Sequence, residues 1–160
     1  MKVFLFICSF YCSHSIATEW LVGIGDIYQA DESGYKMYSL SAEKGIWKAN
    51  ISHWETYPKT AWLETNPEWG IDYVESHYML SLVGTLLQYE VSNEWRVFFD
   101  FGVTYTSKLS KSNSSDISFQ ENLGIAYKNF RLYLRHTSNG DIKPPNYGED
   151  ALVFEVGFNF

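Results

Sequence analysis

Residues 95–105 read Trp-Arg-Val-Phe-Phe-Asp-Phe-Gly-Val-Thr-Tyr. The odd positions are Trp95, Val97, Phe99, Phe101, Val103 and Tyr105, and the even ones are Arg96, Phe98, Asp100, Gly102 and Thr104. A period of two is the signature of a β-strand with one apolar and one polar face. The last segment repeats it. Leu152, Phe154, Val156, Phe158 and Phe160 share one side, while Ala151, Val153, Glu155, Gly157 and Asn159 share the other. Both runs cover about 11 residues, the length a tilted strand needs to cross a bilayer.

Working outward, eight such segments can be drawn, near 20–29, 37–47, 50–58, 79–91, 94–107, 117–128, 130–139 and 150–160. No segment of the mature chain holds the 18 consecutive apolar residues of a membrane-spanning helix. Pro58, Pro67, Pro144 and Pro145 all fall at strand ends or between strands, where they remove no hydrogen bond from a closed ladder. Connections alternate in length: short near 48–49, 92–93 and Asn129, longer and polar at 30–36, 59–78, 108–116 and 140–149. Short turns at one end and long loops at the other are the asymmetry of an outer-membrane barrel. The expected fold is therefore all-β, an eight-stranded antiparallel up-and-down transmembrane β-barrel.

A soluble eight-stranded barrel or sandwich would turn its apolar face inward. The opposite face here carries Arg96, Asp100, Arg131, Tyr133, Arg135, Glu155 and Asn159. That set is too charged for a dry core but suits a lumen of ion pairs and water. The apolar face, aromatic at its ends, suits lipid between two interfacial girdles. Aromatic residues make up 18% of the 160, an excess that such a surface absorbs.

The first residues read as an export signal. Lys2 supplies the charge, Val3 to Cys12 a short apolar core, and Ser15-Ile16-Ala17 the small residues of a cleavage site. Cleavage after Ala17 leaves 18–160 as the barrel domain. It removes both cysteines, Cys8 and Cys12, and with them any disulfide or thiol nucleophile. The whole chain has 12 basic and 19 acidic residues, a net charge of −7, and losing Lys2 takes the mature protein to −8. An acidic chain without a basic cluster argues against nucleic acid as a partner.

The same alternation marks residues that face the wrong way. In Phe130-Arg-Leu-Tyr-Leu-Arg-His-Thr-Ser-Asn139, Phe130, Leu132 and Leu134 face lipid, and so, by the period, do His136 and Ser138. Asp150 shares the lipid face of Leu152 and Phe154. With Ser138 opposite Asp150, His136 lies diagonal to it on the neighbouring antiparallel strand. Polar groups at the lipid boundary are costly and invite a functional reading. An imidazole can deprotonate a serine hydroxyl, a carboxylate fixes its tautomer, and an amide donor such as Asn146, or a backbone N–H near Gly148, can receive the oxyanion. The same residues also suit an ordinary strand–loop boundary. Elsewhere, Gly23-Ile-Gly25 precedes no helix and is no phosphate loop. His53 and His77 lack a third ligand at metal spacing. Asn113-Ser-Ser is a formal sequon without expected consequence in a bacterial barrel.

The stretch Arg135-His-Thr-Ser-Asn-Gly-Asp-Ile-Lys-Pro-Pro-Asn-Tyr-Gly-Glu-Asp150 resembles the signature of the PagL family, outer-membrane lipid A 3-O-deacylases. That signature is roughly His-x-Ser-Asn, a loop with Lys-x-Pro-Asn-x-Gly, then an acidic residue opening the last strand. The resemblance implies a barrel in the outer membrane of a Gram-negative bacterium, with its site in the outer leaflet. The implied reaction is hydrolysis of the ester-linked 3-hydroxyacyl chain at position 3 of lipid A, without metal or organic cofactor. It makes Ser138 the nucleophile, His136 the general base, Asn146 the oxyanion donor and Asn139 a secondary one. The triad acid, glutamate in the family, aligns with Asp150, with Glu149 as the alternate. Asp141 stands where the family commonly has a small residue, often glycine. Lys108, Lys111 and Lys143 are candidates for the phosphates of the lipopolysaccharide substrate. Phe160, closing an apolar strand, looks like the terminal signal read by the barrel assembly machinery. Two other readings are a catalytically silent barrel with a structural or lipid-binding role and a soluble lipocalin-like protein.

Overall fold

The computed structural model describes residues 18–29, 32–55, 76–108, 115–143, 146 and 148–159. The signal segment, the four prolines, Lys111 and Phe160 lie outside them. The chain forms eight strands: β1 (Glu19–Gln29), β2 (Glu32–Lys44), β3 (Trp47–Glu55), β4 (Ser76–Glu90), β5 (Trp95–Thr106), β6 (Ile117–Tyr127), β7 (Phe130–Ser138) and β8 (Glu149–Asn159). Each pairs antiparallel with its sequence neighbour, and β8 closes on β1 from Glu19↔Asn159 to Tyr28↔Asp150. The expected all-β, eight-stranded, up-and-down barrel is the fold observed, and closure leaves no strand edge unpaired.

Three boundaries depart from the sequence reading. The turn expected at 48–49 is Gly45-Ile46, so β3 begins at Trp47 rather than at 50; it is described to Glu55, and the expected end at 58 lies outside the described residues. Gly45 sits at φ 64°, the left-handed conformation a two-residue hairpin demands, and glycine adopts it without strain. Of the loop expected at 30–36, residues 32–36 are strand, because β1 and β2 pair as far as Gln29↔Glu32 across a bulge between Ile27 and Tyr28. β4 starts at Ser76 instead of 79, which brings His77 into the wall.

The two faces separate as the alternation demands. Inside, Lys48 Nζ stands 3.2 Å from Glu155 Oε2 and 4.7 Å from the centre of the Tyr133 ring. Arg131 joins Glu19 and Glu43 near the end that carries the termini. Ser81, Thr104, Gln120, Asn122, Asp100 and Thr85 form a hydrogen-bonded ladder along the wall. Buried charges persist only when paired, and these are paired through several partners each. Outside, Leu80, Leu82, Val103, Ile125, Leu132, Leu134 and Phe154 form an exposed apolar belt. Trp20, Trp47, Tyr89 and Trp95 ring the end with the short turns, while Tyr28, Tyr78 and Tyr105 ring the end with the longer loops. An apolar belt between two aromatic girdles is the surface of a protein solvated by lipid.

Candidate active site

β7 carries the site because its alternation continues past the apolar belt. Arg131, Tyr133, Arg135 and Thr137 point inward and are buried; Leu132, Leu134, His136 and Ser138 line the outer wall. Register then chooses the partners. His136 pairs directly with Asp150 on β8, not diagonally, so the expected pairing of Ser138 with Asp150 is corrected by two residues. A two-residue slip leaves every side chain on its own face, so alternation alone does not distinguish the two registers. The direct pairing also answers the shorter acid. Opposite residues need less reach than diagonal ones, and aspartate spans the gap.

His136 Nδ1 lies 2.7 Å from Asp150 Oδ1, with 42% of the imidazole and 55% of the carboxylate side chain exposed. A carboxylate only accepts, so Nδ1 carries the proton and Nε2 keeps its lone pair. Ser138 follows two residues along the same face, facing Phe119 of β6 across the ladder. Its hydroxyl makes no hydrogen bond among the described residues. Phe119 stacks on Phe101, ring centres 5.9 Å apart, giving that flank an aromatic wall.

The loop after β7 is drawn tight by its own amides. The Asn139 backbone N–H donates to Asn146 Oδ1 at 3.0 Å, and Asn146 Nδ2 donates to Asp141 Oδ1 at 3.1 Å. Asn139 is fully buried and gives a side-chain hydrogen bond of 2.6 Å to the Lys143 carbonyl. Asn139 thus braces the loop, whereas Asn146 is half-buried and has a second N–H to give. Asp141 takes φ 60°, a left-handed conformation that aspartate tolerates better than most residues. A glycine would adopt it freely. Gly148 closes the loop at φ 73°; a Cβ there would come within 2.6 Å of His136 Cε1. Its missing side chain is the space the imidazole occupies.

The remaining candidates lie apart. Glu149 points into the lumen, where its Oε2 stands 3.3 Å from Nε2 of buried His77. Lys108 is exposed just beyond β5, and Lys143 is exposed in the loop after β7. Lys111 lies outside the described residues. Among the described residues no group of three or more His, Cys, Asp or Glu could hold a metal ion.

An apolar groove of about 410 Å³ runs down the outer wall from the His136–Asp150 pair, lined by Tyr28, Phe99, Leu123 and Leu134. Glu121 lines it too. The sequence reading does not single this residue out, though the signal is present: Ile117, Phe119, Leu123 and Ile125 share its face, and a carboxylate interrupts them. An imidazole with a fixed tautomer, a hydroxyl along the same strand and an apolar trough can together hold an acyl chain and attack its ester.

The family model described as lipid A 3-O-deacylase (PagL) matches residues 34–159. No curated protein matches the chain by sequence. Among solved structures, the crystal structure of the outer membrane enzyme PagL is similar with a TM-score of 0.60 and 15% identity, over 89% of this chain and 99% of that one. The crystal structure of Neisserial surface protein A (NspA) is similar with a TM-score of 0.61 and 10% identity, over 91% and 97%. Identities this low carry the fold alone, and the fold is common to a protein called an enzyme and one that is not. What separates one such barrel from another is the chemistry on its wall.

Proposed function

The chain belongs to the lipid A 3-O-deacylase (PagL) family, and from that premise we propose that it hydrolyses the ester-linked 3-hydroxyacyl chain at position 3 of lipid A by a Ser138-His136-Asp150 triad in the outer leaflet. Family membership supports the deacylase role and an outer-membrane barrel. The observation that carries the finer reading is the 2.7 Å pair of His136 and Asp150 on the lipid-facing wall, at the head of an apolar groove.

The acyl chain stays in hydrocarbon along Leu123, Leu134 and Phe99 while the ester rises to Ser138. His136 Nε2 takes the hydroxyl proton as Ser138 Oγ bonds to the ester carbonyl carbon. Asp150 holds the imidazole by Nδ1 and stabilises the imidazolium. The oxyanion receives the second N–H of Asn146 or the backbone N–H of Gly148, with Asn139 bracing the loop that carries them. As the bond between the carbonyl carbon and the sugar oxygen breaks, His136 returns the proton to that oxygen. Water, activated by the same nitrogen, then attacks the acyl-serine and releases a 3-hydroxy fatty acid. Lys108, Lys111 and Lys143 meet the phosphates. With a mature charge of −8, affinity rests on acyl burial and those few loop cations rather than on the field of the whole protein.

Mass spectrometry of lipid A from cells expressing the wild type, Ser138→Ala or His136→Asn tests the reading. Loss of one hydroxyacyl mass with the wild type alone supports it; unchanged lipid A in all three sinks it. Asp150→Ala beside Glu149→Ala separates the two acids, and only the first is expected to abolish deacylation.

A further inference from the structure

Glu121 interrupts an otherwise apolar face. Its neighbours on the outer face of β6 are Ile117, Phe119, Leu123 and Ile125, all exposed on the lipid-facing wall. A carboxylate on such a wall is costly, and an apolar side chain would serve it better. Register places Glu121 directly across from His136, whose other neighbour is Asp150. The imidazole therefore stands between two carboxylates, yet only Asp150 hydrogen-bonds it. Glu121 makes no hydrogen bond or ion pair among the described residues, and it lines the groove beside Leu123 and Phe99. It is an acceptor without a donor in the lining of the groove.

We infer that Glu121 selects the substrate by accepting a hydrogen bond from the 3-hydroxyl of the acyl chain that Ser138 cleaves. The inference rests on the deacylase reading above and names the part of the substrate that the groove recognises. The hydroxyl-bearing carbon is two bonds from the ester carbonyl carbon. A chain leaving Ser138 for the groove therefore carries its hydroxyl past the row formed by Glu121 and His136. Side chains opposite each other across a ladder have Cβ atoms about 5 Å apart, and diagonal ones about 7–8 Å, a span a glutamate covers. Asp150 is already engaged by His136 on the far side, which leaves Glu121 as the carboxylate turned toward the chain. The hydroxyl supplies the missing donor, and the surrounding leucines and phenylalanine make the bond stronger than it would be in water. A plain acyl chain would instead leave the carboxylate desolvated and unpaired, which is how a polar group in a groove rejects an analogue that lacks the matching hydroxyl.

The test compares two glucosamine-based esters in detergent micelles, one bearing a 3-O-(3-hydroxyacyl) chain and one a plain 3-O-acyl chain of equal length. Wild type, Glu121→Gln and Glu121→Leu are assayed on both, and the reading is the ratio of kcat/KM for the two esters. The expected result is a wild-type preference for the hydroxyacyl ester that falls about ten- to hundredfold in Glu121→Leu and by less in Glu121→Gln, whose amide oxygen still accepts. Because the reading is a ratio, a partly folded variant still reports it. A ratio unchanged by either variant overturns the inference, even where both rates fall together, since that pattern marks an effect on His136 or on the wall. A wild type that cleaves both esters equally overturns it as well. A wild type that cleaves neither contradicts the deacylase reading itself, a separate outcome.

Discussion

The two faces of β7 hold charged groups under opposite rules. On the inner face, Arg131 and Arg135 are almost fully buried and held by several partners: Glu19 and Glu43 for one, Asn50, Ser52 and Tyr133 for the other. On the outer face, His136 is half exposed and has one hydrogen-bond partner, Asp150, while Glu121 beside it makes no hydrogen bond among the described residues. The inner groups hold each other and hold the barrel. The outer ones sit on a wall where apolar residues would be better tolerated. Polar groups held on a lipid-facing wall, away from the counter-charges of the lumen, are the ones to assign to chemistry.

Substitutions that cross this divide sharpen it, and the largest effect belongs outside. Ser138→Ala or His136→Asn should lower kcat at least about a thousandfold while heat-modifiable gel mobility stays that of a folded barrel. Asp150→Asn, which leaves the histidine without its anionic partner, should cost about a hundredfold or more in kcat with folding again intact. The inner face should show the reverse. Glu155→Ala leaves buried Lys48 without its counter-charge and should destabilise the barrel by about 3–5 kcal/mol in a urea titration. The folded fraction should keep its activity. If Glu155→Ala removed activity without lowering stability, the division between the faces would fail. Gly148→Ala combines strain at φ 73° with a Cβ inside the imidazole's space. It should cost about 1–3 kcal/mol of stability and about tenfold in kcat. Smallest of all, Lys143→Ala should change kcat/KM by less than about fivefold, and by less at high salt.

Much of this architecture is legible in the order of residues along the chain. Alternation in 95–105 and 150–160 assigns both faces of the wall, and continuing it past Leu134 puts His136 and Ser138 outside. Period two is blind to slips of two, however, and so the pairing of His136 with Asp150 rather than Ser138 with Asp150 lies beyond it. It is equally blind to the place of the hairpin at Gly45-Ile46, which a glycine at positive φ decides. The resemblance in 135–150 draws attention to the carboxylate that opens β8 and away from Glu121 on β6. The two acids that flank His136 come from the strands on either side of β7, and it is the register that brings them level with it, which sequence spacing does not fix. His77 and Glu149 meet across the lumen from strands that do not pair, 72 residues apart along the chain.

The most direct measurement of the central claim uses a long-chain fluorophosphonate, which captures a serine only when a neighbouring base activates it. The purified, folded barrel is treated in detergent, and the adduct is located by peptide mass mapping. One phosphonyl group per chain is expected, on Ser138, formed at least about a thousandfold more slowly in His136→Asn. An adduct on another residue, or a Ser138 that stays unmodified while the protein still deacylates lipid A, would contradict it.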